Sequence, residues 1–136
     1  MPLVSIFNIV EADILENRDC IFIYADSHKQ DGLPFTNGRF RVLANAFPII
    51  VKKYGGTDPE SYWKDEEFIL FKNELRSSLE VIEKILSAGT VGILCRESLD
   101  HYQFSVDAIS SYSKEAKEHL LNELSSFYSR FTVKRK

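Results

Sequence analysis

Hydrophobic residues in this chain fall into two patterns, short continuous runs and longer stripes that recur every three or four positions. A continuous apolar run bounded by polar residues is typical of a strand buried on both faces of a sheet. The run Cys20–Tyr24 has this character and ends at Ala25-Asp26-Ser27. Comparable runs predict three more strands, over Val4–Val10, Ala46–Lys53 and Thr90–Leu94.

The stripes predict helices. The clearer one follows Asp65, which is suited to be an N-cap, and ends at Gly89, a residue favoured just past a helix. Its apolar positions are Phe68, Phe71, Leu75, Leu79, Ile82 and Leu86. A final helix is predicted from its cap Ser113 to Phe131, with Ala116, Leu120, Leu124, Phe127 and Phe131 on one face. The polar segment Glu11–Asp19 indicates a short helix or turn.

Strands that alternate with helical segments indicate an α/β fold, with a mostly parallel or mixed sheet flanked by helices. The chain has 136 residues, about the size of one domain, and no repeat or linker divides it. We therefore expect residues 1–136 to form a single α/β domain. Because 44% of its residues are hydrophobic and 12% aromatic, it can build a core without disulfides.

The net charge and the cysteine content indicate which partners and which cellular compartment to expect. The net charge of -3 gives no global positive field, so DNA is not an expected partner. The basic tail Val133–Lys136 is interpreted as a solvated terminus, with an RNA or acidic-partner contact as the alternative. No apolar run approaches the roughly 20 residues that cross a bilayer, and no signal peptide is recognised. Cys20 and Cys95 are expected to be free thiols in neighbouring strands, in a cytoplasmic protein.

Candidate chemistry lies in two loops that follow predicted strands, because ligands of open α/β sheets bind at the carboxyl ends of strands. A carboxylate there can accept hydrogen bonds from ribose hydroxyls or an amide, and Asn-Gly amides with an arginine can hold a phosphate. The first loop, Asp26–Asn45, contributes the candidate ligand-binding residues Asp26, Ser27, Asn37, Gly38, Arg39 and Asn45. The second, Cys95–Ser105, contributes Arg96 and His101.

Each candidate also has a structural interpretation. Asp26 is also suited to cap a turn, Asn37-Gly38 is a turn signal, and His101 is alternatively interpreted as an ordinary loop histidine. Trp63 is expected to anchor the long helix against the core, with stacking on a base as the alternative. The chain has none of the common nucleotide, hydrolase or metalloprotease motifs, so no catalytic residue, metal site or cofactor is assigned.

The order of the segments resembles a small family of phage and bacterial α/β proteins related to macro domains. Their pattern is a strand ending in F-G-D-N, a glycine-rich loop, then P-N-A-x-G-I-P, an acidic-aromatic segment and a long helix. A strand with a glycine-rich loop follows. The matching stretches here are Ile21–Ser27, Leu43–Ile49, Tyr62–Phe68 and Gly89–Leu94, which together span most of the chain.

This resemblance implies a macro-domain-like fold with a pocket for a nucleotide or ADP-ribose-like ligand, in which Asp26 and Asn45 are pocket residues. The family's glycine-rich loops are replaced here by GLPFTNGRFRV and CRESLDHYQFS. Since those loops would hold the phosphates, binding without turnover is favoured.

The first hypothesis is therefore a small-molecule binding module, as a phage protein that sequesters a host defence signal. The alternatives are an enzyme of the ADP-ribosyl hydrolase or phosphatase type and a protein-binding inhibitor of a host factor. A homo-oligomer is also left open.

Overall fold

The structure is a computed structural model, which describes residues 3–6, 11–27, 40, 43–53, 62–95 and 113–131. Over these residues the chain forms four strands and three α-helices. The strands are β1 (Leu3–Ile6), β2 (Cys20–Ser27), β3 (Ala46–Lys52) and β4 (Val91–Cys95), and the helices are α1 (Glu11–Glu16), α2 (Phe68–Ser87) and α3 (Lys114–Phe131). The predicted α/β class is confirmed.

The four described strands make one sheet in the order β1-β4-β2-β3, and every neighbouring pair is parallel. Because they are parallel, all the strands begin at one edge of the sheet, the amino edge, and end at the opposite one, the carboxyl edge. Strands β2 and β4 occupy the centre. The edge strand β3 tolerates Pro48, because a missing backbone donor costs least there.

Side chains of β2 alternate between the two faces of the sheet. Ile21, Ile23 and Ala25 belong to the larger core cluster, together with the buried residues of α2 and α3. We call this the helical face. Phe22 and Tyr24 point to the opposite side, where Ile14 of α1 packs in the same smaller cluster, and we call that the α1 face.

The predicted core stripes of both long helices are confirmed. Phe71, Leu75, Leu79, Ile82 and Leu86 of α2 are buried, as are all five predicted positions of α3. Trp63 is fully buried with its ring 5.3 Å from that of Phe71, so it anchors α2 as expected. Burial of this kind removes the apolar stripes from water and is the main favourable term of folding.

Helix α2 packs very closely on the sheet at Gly92. A β-carbon added to Gly92 would lie 2.7 Å from Leu86 Cδ2 and 3.0 Å from Leu3 Cδ1. Glycine suits this position, because any larger residue would require the Leu86 and Leu3 side chains to move. At the end of the same helix, Gly89 has a φ of 108°, which other residues rarely adopt, and its role as the predicted helix stop is confirmed.

Some predicted boundaries differ from those observed. Asp65 does not cap α2 but begins a 3-10 turn, Asp65–Glu67, and the α-helix starts at Phe68. The Glu67 side chain contacts the residue just before this turn, because its Oε1 accepts the Lys64 backbone N–H at 3.3 Å. Ser113 does cap α3, and its hydroxyl accepts the Ala116 N–H at 3.1 Å.

Helices α2 and α3 are parallel to each other. Arg76 of α2 contacts Glu123 of α3 at 3.0 Å, and seven residues further along both helices Glu83 contacts Arg130 at 3.3 Å. Arg76 and Glu83 also pair with each other at 2.6 Å, which joins the four charges into one network. Because α2 connects the carboxyl end of β3 to the amino end of β4, the N-termini of both helices face the carboxyl edge.

Candidate functional site

Asp26 is the central residue of the candidate site. The sequence suggested that β2 stops before it, but β2 continues to Ser27, so both residues lie within the strand. Asp26 occupies the next-to-last position of a central strand and is only 6% exposed. Alternation along β2 places its side chain on the α1 face, two residues beyond Tyr24. A carboxylate with so little contact with water needs hydrogen-bond partners to be stable there.

The faces on which the next described residues lie indicate that the end of β2 is a topological switch point. From β2 the chain leads to Phe40, which packs on the α1 face. From the two neighbouring strands, β3 and β4, the chain leads to α2 and α3 on the helical face. Connections that leave adjacent strands for opposite faces mark the place where open α/β sheets bind ligands. Asp26 therefore lies between two such places.

A β-bulge adjoins Asp26. The strand register pairs Asp26 with Ile50 but Ser27 with Lys52, so Val51 is an extra residue on β3. Bulges are enriched beside functional sites, where they redirect side chains at the end of a strand. This irregularity distinguishes the carboxyl end of β2 and β3 from their amino end, where the pairing is regular.

Phe40 connects the first candidate loop to the sheet. Its ring is buried and packs edge-on against that of Tyr24, with 5.5 Å between ring centroids. The backbone then turns twice, because Leu43 N–H donates to the Phe40 carbonyl at 3.1 Å and Ala46 N–H donates to the Leu43 carbonyl at 3.1 Å. The segment that follows Arg39 in sequence is thus fixed against the α1 face.

The expectation that Asn45 joins Asp26 at the carboxyl edge is wrong. Asn45 precedes β3 at the amino edge, and Ala46 pairs with Phe22 rather than with Asp26. The two residues are separated by about five steps along parallel strands, or about 17 Å in the strand direction. The physical reason is topological: a parallel connection must return to the amino edge before the next strand begins.

Asn45 has a structural role instead. Its side-chain Nδ2 donates to the backbone oxygens of Ile14 at 2.9 Å, Asn17 at 3.2 Å and Cys20 at 3.3 Å. Its own backbone oxygen accepts the Phe22 N–H at 2.8 Å. These bonds join the end of α1, the start of β2 and the start of β3, so the amide of Asn45 organises the amino edge.

Five of the candidate residues, Asn37, Gly38, Arg39, Arg96 and His101, lie outside the described residues. For Ser27 the structure describes the backbone, which places it at the carboxyl end of β2. Of the eight candidates, the structure thus describes Asp26 and Ser27 at the carboxyl edge and Asn45 at the amino edge.

Sequence analysis did not assign the charged residues at the end of β3 to the site. Lys53 forms an ion pair with Glu67 of the 3-10 turn, and both side chains are about four-fifths buried. This pair joins the carboxyl end of β3 to the N-terminus of α2. The three acidic residues of that turn offset the positive end of the helix dipole, so it is not by itself an anion site.

Cys20 and Cys95 are both free thiols, as predicted, on neighbouring strands. They lie on the α1 face at opposite ends of the sheet, because Cys20 begins β2 and Cys95 ends β4.

Over the described ranges, no group of three or more His, Cys, Asp or Glu side chains is placed to hold a metal ion. Likewise, none of the described helices combines the length and apolar character that spanning a bilayer requires.

The fold and the site together define an α/β protein with a parallel sheet and a candidate ligand site at its carboxyl edge. Residues 5–102 match the model of DUF7831, a family of unknown function, and the chain belongs to that family. No curated protein matches the chain. No solved structure matches it either.

Proposed function

We propose that this protein binds a nucleotide-derived small molecule, of the ADP-ribose type, at the carboxyl edge of its sheet. The observation that carries the proposal is Asp26, a buried carboxylate next to the end of a central strand and flanked by two switch points. An ionised carboxylate offers about four acceptor positions. It can therefore accept a ligand hydroxyl or amide in addition to its bonds within the protein.

Arg39 is the proposed anchor for a phosphate group of the ligand. It precedes Phe40 in the sequence, and Phe40 packs against Tyr24 two residues before Asp26. A guanidinium group can bind two phosphate oxygens at once, and such charge-assisted bonds are among the stronger ones in proteins. The candidates Asn37, Gly38, Arg96 and His101 belong to the same proposal, on the basis of sequence alone.

The proposed activity is binding without conversion of the ligand. In the macro-domain-like proteins that this sequence resembles, glycine-rich loops would hold the phosphates. The corresponding segments of this chain are not rich in glycine. A protein of this kind would act by sequestering its ligand in the cytoplasm, as a phage protein that removes a host defence signal would. Two free thiols are consistent with a reducing compartment.

Isothermal titration calorimetry with ADP-ribose tests the proposal. Arg39→Ala should weaken binding by roughly tenfold to a hundredfold, the loss expected for one charge-assisted bond. Asp26→Asn should weaken binding similarly, because an amide replaces one acceptor with a donor. Neither variant should lower the melting temperature by more than a few degrees.

Arg18→Ala and Asp19→Asn are the matched controls. Both residues are exposed and precede β2 at the amino edge, so the same changes of charge occur far from the proposed site. These controls should bind ADP-ribose like the wild type. If Arg39→Ala and Asp26→Asn also bind like the wild type, or only unfold, the carboxyl edge is not the site.

A further inference from the structure

We propose that the outer side of β3, which is turned away from β2, is closed to the addition of another strand, so that a second copy of this chain cannot extend the sheet there. In the part of the chain that the structure describes, β3 is an edge strand of the sheet. The unpaired N–H and C=O groups of an edge strand form a template for pairing with another chain, and natural proteins commonly block such edges.

The strand pairing identifies the N–H groups of β3 that point outward. Phe22 of β2 pairs with Ala46, and the Phe22 N–H donates to the Asn45 carbonyl at 2.8 Å. In a parallel pair, successive residues of a strand direct their N–H groups to alternate sides. This register directs the N–H groups of residues 47 and 49 towards β2. The outward positions are therefore Ala46, Pro48 and Ile50.

At each of these three positions the donor is either already used or missing. The Ala46 N–H donates to the Leu43 carbonyl at 3.1 Å. Pro48 has no N–H group. The Ile50 N–H donates to the hydroxyl of Ser78 in α2 at 3.3 Å. A further strand would therefore lack the hydrogen-bond donors that it needs from this side of β3.

Ser78 is oriented to accept the bond from Ile50. Its hydroxyl donates to the Leu75 carbonyl of the same helix at 2.9 Å, which leaves the lone pairs of Oγ to accept the strand N–H. Immediately beyond Ile50, the bulge at Val51 interrupts regular pairing, and bulges are another common device of protected edges. Any homo-oligomer of this protein should therefore form through a surface other than the outer side of β3.

The double variant Pro48→Val, Ser78→Ala tests the proposal, because it adds one outward donor and releases another. Its matched control is Pro48→Val, Ser77→Ala, which removes an exposed hydroxyl one residue away and keeps the Ser78 acceptor. In sedimentation velocity over a concentration series, the test variant should self-associate at a concentration about tenfold lower than the control does. Equal self-association of the two variants would overturn the proposal.

Hydrogen exchange measured by NMR shows whether the association uses β3. In the test variant, the amides at positions 48 and 50 should exchange more slowly as the protein concentration rises and the strands pair. Association that leaves both amides exchanging freely would place the contact elsewhere and would contradict the proposal.

Hydrogen exchange of the wild type gives a further test should the double variant not fold. The Ile50 amide should be protected to the same extent at every protein concentration, because Ser78 accepts its N–H within a single molecule. An Ile50 amide that exchanges freely, or that becomes protected only as the concentration rises, would show that this side of β3 is open.

Discussion

At the scale of single residues, Asn45 shows how one amide can hold three backbone segments together. Its Nδ2 has two hydrogens and three carbonyl acceptors within 3.3 Å, so one hydrogen is shared between two of them. The acceptors belong to the end of α1, the turn after it and the first residue of β2. The contribution of Asn45 is therefore to the stability of the fold.

Asn45→Ala should lower the free energy of unfolding by about 1–3 kcal/mol, because it removes the hydrogen bonds that the side-chain amide donates to three backbone carbonyls. Urea denaturation measures this loss. Asn122→Ala, at an exposed position of α3, should change stability by no more than about 0.5 kcal/mol. A variant Asn45→Ala that keeps its stability but no longer binds ADP-ribose would instead assign Asn45 to the ligand site.

The position of Asn45 could have been inferred from the sequence. Once strands on either side of a connection are predicted to be parallel, the residue just before the second strand must lie at the amino edge. Asn45 was instead grouped with the carboxyl edge because it lies in the same candidate loop as Asp26. Asp26, in contrast, follows a buried apolar run, and this signal alone places it correctly at the carboxyl edge.

At the scale of secondary-structure elements, the apolar stripe of α2 was predictable because its period is set by helix geometry. The start of the helix was not predictable in the same way. Asp65 is a residue type that favours a cap, but its place in the 3-10 turn depends on tertiary contacts. Glu67 contacts both Lys53 and the Lys64 backbone. Similarly, the polar residues Asp26 and Ser27 suggested the end of β2, but pairing with β3 extends the strand.

Phe71→Ala tests the packing of α2 on the sheet. Phe71 is fully buried, so its truncation should lower the free energy of unfolding by about 3–5 kcal/mol. Ile69→Ala, two residues earlier on the same helix, should change stability by only about 0.5 kcal/mol or less, because Ile69 is 69% exposed. Equal losses for the two variants in chemical denaturation would show that α2 is packed differently.

The network between α2 and α3 makes a separate prediction. Arg76 contacts Glu83 at 2.6 Å and Glu123 at 3.0 Å, and it is partly exposed. Arg76→Gln should therefore lower stability by about 1 kcal/mol at low salt. The loss should shrink near 1 M salt, where the screening length is about 3 Å. Lys72→Gln, at an exposed position of α2, is the control; a loss for Arg76→Gln that salt does not alter would contradict an electrostatic role.

At the scale of the whole molecule, the core includes residues beyond the region that matches the family model. The match ends at residue 102, yet α3 contributes five buried residues to the larger core cluster. The helical face is thus completed by a segment outside the matched region. The sequence predicted this helix from its stripe, but the order of the strands comes from long-range pairing, which residue patterns do not encode locally.

The central claim is that ligand binds at the carboxyl edge of the sheet, and an NMR titration tests it most directly. Isotope-labelled protein is titrated with ADP-ribose while backbone amide shifts are recorded. Binding at the carboxyl edge predicts saturable shifts for Asp26, Val51 and Cys95, with one common Kd, and little change for Asn45 and Gly89. Saturable shifts at Asn45 and Gly89 alone, or no shifts anywhere, would contradict it.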